Sequence, residues 1–136
     1  MRYLIDTAAL ANNALTPQIL PERIRKLLDT DEVKGLCGVS LLELAIHHRR
    51  GRLQLKGKLS DFFETALAQD IEILDLTPAV AIATNELPAD FSGDPFDRTI
   101  AATARVFSLT LITADAAIRD SRFCKVEFYP FRPARA

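Results

Sequence analysis

The chain has 136 residues, 49% of them hydrophobic and 26% charged, with a formal net charge of −1. These values fit one domain, spanning 1–136, and exclude a strongly basic chain that holds polyanions through its overall charge. No apolar run approaches the roughly 20 residues of a membrane span, and the opening MRYLIDTAALANN lacks the pattern of a signal peptide, so a soluble cytoplasmic protein is expected.

RYLID at 2–6 reads as a short buried strand. LPERIRKLLDTDE at 20–32 carries Ile24, Leu27 and Leu28 at helical spacing. GLCGVS at 35–40 is a second short β-friendly run, and SLLELAIHHRRG then predicts a helix ended by Gly51. LSDFFETALAQD at 59–70 predicts another helix, with Ser60 as its cap. IEILDL at 71–76 alternates like a strand, and TPAVAIATNEL at 77–87 opens like a helix. DPFDRTIAATARVFS predicts a helix from Asp94, LTLIT at 109–113 a strand, AAIRD a short helix and KVEFY at 125–129 a last strand. The isolated cysteines, Cys37 and Cys124, read as free thiols.

Strands alternating with helices from end to end predict an α/β fold with a mostly parallel sheet covered on both faces. Sites in such sheets form beyond the carboxyl ends of the strands. Three acids fall there: Asp6 ends the first strand, Glu43 follows the second, and Asp115 lies two residues past LTLIT. Asp97 stands in the first turn of its helix, but no strand directly precedes that helix, so pattern alone does not place it on the same edge.

Each acid also has a local explanation. SLLE at 40–43 has the form of a capping box, Asp94 and Asp97 form an acidic helix start around Pro95, and Asp115 suits a cap. Asp6 is harder to explain this way, because a carboxylate ending a buried strand needs a partner. Carboxylates gathered on one edge repel one another, and a divalent cation removes that penalty. An oxygen-only donor set suits Mg²⁺ or Mn²⁺ and hence phosphate chemistry. His47 and His48 sit side by side on a basic helix and are expected to face solvent or a polyanion rather than a metal. No glycine-rich phosphate loop is present.

The segments YLIDTAALANN, VSLLELA, DPFDRTIAATA and LTLITAD, in that order, resemble the PIN-domain family, and within it the VapC-type ribonuclease toxins of toxin–antitoxin pairs. The resemblance implies a three-layer α/β/α sandwich and Mg²⁺- or Mn²⁺-dependent cleavage of RNA. It also implies a homodimer and inhibition by a small cognate antitoxin, VapB-like, that reaches toward the acidic site. Carried over residue by residue, it implies Asp6, Glu43, Asp97 and Asp115 as the catalytic, metal-binding cluster. Asp94 would be a supporting acid and Thr113 a hydroxyl that orients a carboxylate. For Arg98 two roles stand side by side: a contact to substrate phosphate, or a pair with an acid of the same edge.

The stretch HHRRGRLQLKGK supplies Arg49, Arg50, Arg52, Lys56 and Lys58 as a candidate RNA track, with a solvated helix end as the competing reading. The tail FRPARA is also basic. Two non-enzymatic alternatives remain at this point. One is an α/β binding module with a metal-binding acidic edge; the other is an interaction partner whose acids only cap helices.

Overall fold

A computed structural model describes residues 1–68 and 70–130; the basic tail 131–136 and Gln69, in the segment expected to be helical, lie outside the described residues. Five parallel strands form one sheet: β1 (Tyr3–Ile5), β2 (Lys34–Cys37), β3 (Ile71–Leu74), β4 (Thr110–Thr113) and β5 (Lys125–Phe128), in the order β3-β2-β1-β4-β5. Seven α-helices occur among the described residues: α1 (Thr7–Leu15), α2 (Glu22–Leu28), α3 (Gly38–Arg49), α4 (Leu59–Leu67), α5 (Pro78–Thr84), α6 (Pro95–Val106) and α7 (Ala116–Ser121).

Side chains alternate across the strands and divide the core in two. Leu4, Cys37 and Leu111 face a cluster with Val80 of α5, Ile100 and Ala104 of α6 and Ile118 of α7. Their neighbours Ile5, Leu36 and Ile112 face the opposite cluster, with Leu10, Ile24, Leu44 and Phe62. The expected α/β/α sandwich is therefore present.

The elements depart from the sequence reading at their edges. Helix α1 was not anticipated: TAALANNAL has little amphipathic contrast, and Asp6, read as a strand end, is also the cap of this helix. Helix α2 is confined to seven residues inside the span 20–32 and follows a 3₁₀ turn over Pro17–Ile19. Strand β2 ends at Cys37 and α3 begins at Gly38, so Ser40 lies within the helix and the capping-box reading of SLLE is overturned. Ser60 is likewise the second residue of α4 rather than its cap.

The chain lays β1, β2 and β3 outward in one direction and then returns to place β4 on the other side of β1. The β1/β4 boundary is the topological switch point, where α/β sheets open a crevice at the carboxyl ends of the strands. Helix α6 reaches that edge from behind. A short turn, Phe107–Leu109, with Ser108 at φ 56°, joins its end to the start of β4. The helix therefore runs antiparallel to the strand. Twelve helical residues cover about 18 Å and four strand residues about 13 Å, so the start of α6 stands level with the end of β4.

Candidate active site

Strand register sets the first contact. Ile5 pairs with Ile112, so the next residues, Asp6 and Thr113, meet as the two strands end. The buried Thr113 hydroxyl donates to Asp6 Oδ2 and accepts the N–H of Asp115 at 3.0 Å. The other Asp6 oxygen accepts the N–H of Thr7 at 2.8 Å. Asp115 caps α7, accepting the N–H groups of Ala117 and Ile118. One hydroxyl thus connects two acids across the switch point.

Helices α3 and α6 bring the other acids. The Thr7 hydroxyl donates to Ser40 Oγ at 2.8 Å, and both residues are buried. This bond ties the first turn of α1 to the first turn of α3, one turn before Glu43. Asp94 caps α6 through the Phe96 N–H at 2.8 Å. Glu43, Asp94 and Asp97 each offer a carboxylate oxygen, and these atoms lie within 4.8 Å of one another. Asp6, Glu43, Asp97 and Asp115 line one cleft of about 620 Å³.

The electrostatics of this cleft are those of unneutralised acids. Burial pushes Asp97 up to about 7, with further upward pressure from Asp94, Asp115, Asp6 and Glu43. Burial also pushes Asp6 up to about 6, opposed by the hydrogen bonds from Thr113 and Thr7 and reinforced by Glu43 and Asp115. The donor set is all oxygen and deficient in positive charge, which suits a hard divalent cation such as Mg²⁺ or Mn²⁺.

All four acids inferred to form the cluster are brought to this cleft. Asp94 caps its helix as expected, and its carboxylate also lies in the tight trio with Glu43 and Asp97. Arg98 pairs with no acid among the described residues, so that one of its two expected roles is not met. Its guanidinium donates to the carbonyls of Thr84, Leu87, Phe91 and Ser92 at 3.1 to 3.5 Å, binding α5 and the following loop to α6.

The basic stretch is divided. Arg49 and Arg50 are exposed at the end of α3, and Arg52 lines the acidic cleft. Lys56 and Lys58 border a smaller groove with Leu15 and Asp61. His47 lines the cleft with its side chain 34% exposed and Nε2 3.7 Å from Glu43 Oε2. Its spacing four residues after Glu43 was the available signal. Asn12, within the segment YLIDTAALANN, and Gln54, which no motif marks, also line the cleft. Cys37 and Cys124 are free, as expected.

A PIN domain profile matches residues 3–126. Ribonuclease VapC22 of Mycobacterium tuberculosis is 31% identical over 106 residues, covering 78% of this chain and 81% of that protein. Among solved structures, FitAcB from Neisseria gonorrhoeae superposes with a TM-score of 0.67 at 27% identity, covering 94% of this chain and 97% of the other. VapBC2 from Rickettsia felis, bound to a DNA fragment from its promoter, superposes with a TM-score of 0.70 at 18% identity, covering 94% and 98%.

Proposed function

The chain belongs to the PIN-domain family, and from that footing we propose that it is a metal-dependent endoribonuclease toxin that hydrolyses RNA phosphodiester bonds. The observation that carries this reading is the convergence of Asp6, Glu43, Asp97 and Asp115 on one cleft from four separate segments. Helix capping explains Asp6 and Asp115 singly; it gives no reason for four acids to share one cleft at an energetic cost.

Asp6, Glu43, Asp97 and Asp115 would hold the ion, with Asp94 beside Glu43 and Asp97 as a further oxygen donor. When bound, Mg²⁺ or Mn²⁺ supplies polarisation of the phosphoryl oxygen and a water of lowered pKa. The chain supplies placement. Thr113 fixes the rotation of the Asp6 carboxylate and the backbone of Asp115. The Thr7–Ser40 bond fixes the separation of α1 and α3, and so of Asp6 and Glu43. Arg98 fixes the start of α6, which carries Asp94 and Asp97. Arg52, which lines the acidic cleft, would receive a phosphate of the substrate strand. A toxin of this kind acting on the cell's own RNA would work in the cytoplasm.

Relatives described as VapBC complexes support a small cognate antitoxin as partner. A homodimer is supported by apolar side chains left exposed at the β3 edge and on α5: Ile73 at 43%, Leu76 at 58% and Ile82 at 63%. The test of the catalytic reading is direct. Purified chain, freed of any antitoxin, should cleave RNA in Mg²⁺ or Mn²⁺ and stop on addition of EDTA. Cleavage that persists in EDTA contradicts it.

A further inference from the structure

The sheet has a second charged end. At the edge opposite the acids, the end of α6, the turn before β4, α7 and the start of β5 enclose a cleft of about 500 Å³. Arg105, Arg119, Arg122 and Lys125 line it, over a floor that includes Leu109, Phe123 and Val126, and no carboxylate is among its lining residues. One guanidinium group of the cleft is held in place by stacking: Arg105 lies 4.4 Å over the ring of Phe123. It spends one N–H on the Phe123 carbonyl and so has further donors to offer. The guanidinium of Arg119 stacks on Phe128, whose backbone pairs with Thr113 toward the acidic end of the sheet, and its Nε donates to Asp120. Among the described residues, the side chains of Arg122 and Lys125 have no hydrogen-bond or ion-pair partner, and both are exposed.

Charge separation of this kind matters for a nuclease. Four carboxylates at the cleavage site repel an incoming phosphate chain, and a net charge of −1 gives no general attraction. Affinity for RNA comes largely from cations that meet phosphates. Cations beyond Arg52 that hold the strand must therefore lie outside the acidic cleft. We propose that the Arg105–Lys125 cleft is a second RNA-binding site, which holds backbone phosphates of the substrate away from the cleaved bond. The proposal rests on the reading of this chain as an enzyme acting on RNA. The two sites are separated by at least the length of a strand, about 13 Å. A folded RNA or a long strand reaches both; a short oligonucleotide reaches one. The stacked, planar guanidinium of Arg105 suits phosphate oxygens, which it can bind in pairs. No base selectivity is expected, because Phe123 is buried beneath Arg105.

The experiment is RNA binding in EDTA, so that cleavage does not intervene, read by fluorescence anisotropy with a labelled mixed-sequence RNA hairpin. The double variant Arg122→Gly, Lys125→Gln removes the two unpartnered cations. Arg122 sits at φ 55°, a left-handed position that glycine prefers, so this variant should fold at least as well, as a melting curve will show. A control variant, Arg25→Gln, Lys26→Gln on α2, removes the same charge elsewhere. We expect the double variant to bind about tenfold more weakly at low salt, with the slope of log K against log salt shallower by about one to two. The control should match the parent protein. Unchanged affinity and slope in the double variant overturns the proposal, and so does an equal loss in the control; Lys125→Gln alone serves if the double variant melts early. If the chain binds through this cleft but cleaves no RNA with any metal, the ribonuclease reading fails and the cleft stands. If it cleaves RNA while the cleft variants bind normally, the reverse holds.

Discussion

The Thr113 hydroxyl donates its proton to Asp6, across the boundary between two strands 107 residues apart in sequence. Because its oxygen also accepts the Asp115 N–H, Thr113 governs two of the acids at once. Hydrogen bonds that orient metal-binding carboxylates contribute about 10- to 100-fold to metal affinity or activity. Thr113→Val should lose cleavage and Mn²⁺ affinity by that amount, and Thr113→Ser should restore most of both. Calorimetric titration with Mn²⁺ and cleavage rates check this.

The raised values of Asp97 and Asp6 set a pH dependence for the metal-free protein. Asp97 moves from an ordinary 3.8 to about 7 on folding, and Asp6 from 3.8 to about 6. Between these limits the folded chain keeps protons that the unfolded chain has lost, so stability falls as pH rises from about 4 to about 7. In EDTA, melting temperature should therefore decline between about pH 5 and pH 7.5, and Asp97→Asn should flatten that decline. Mn²⁺ should bind more tightly as pH rises through the same range and release protons as it binds.

The Thr7–Ser40 bond is buried away from water. Ser40→Ala leaves the Thr7 hydroxyl without its partner and should destabilise the fold by about 1–3 kcal/mol. Adding Thr7→Val should destabilise by less than the sum of the two single changes, since one interaction is lost in both. Urea denaturation of the three variants measures this coupling.

Arg98 is expected to act on stability. Arg98→Ala strips the charged donor from the carbonyls of Thr84, Leu87, Phe91 and Ser92 and should destabilise by about 2 kcal/mol or more. Arg98→Lys keeps the charge but not the planar fork, and should recover only part of the loss. A variant of unchanged stability but weakened RNA binding would return Arg98 to the role of phosphate contact.

Much of this site could be read from sequence because strand ends announce themselves: Asp6 and Asp115 follow apolar runs directly. Asp97 could not be placed from the strand before it, since none adjoins it. The strand after it held the information, because a three-residue turn from α6 into β4 forces the start of the helix to the end of the strand. Ser40 was misread because a serine three residues before a glutamate has the same local form as a cap or as a buried tie between helices. Only the position of Thr7, 33 residues earlier, distinguishes them. The acid-pairing reading of Arg98 failed for a related reason. A basic side chain beside acids suggests pairing with a charge, whereas Arg98 is bound by loop carbonyls whose convergence depends on tertiary structure.

The central claim is that the acids of one cleft act together with a divalent cation to cleave RNA. Its most direct measurement is the rate of RNA cleavage by the purified chain and by Asp97→Asn, each with saturating Mn²⁺ and with EDTA, after circular dichroism has shown both to be folded. The account predicts cleavage only by the parent chain in Mn²⁺, with the variant slower by about 100-fold or more. Equal cleavage by the folded variant would contradict it.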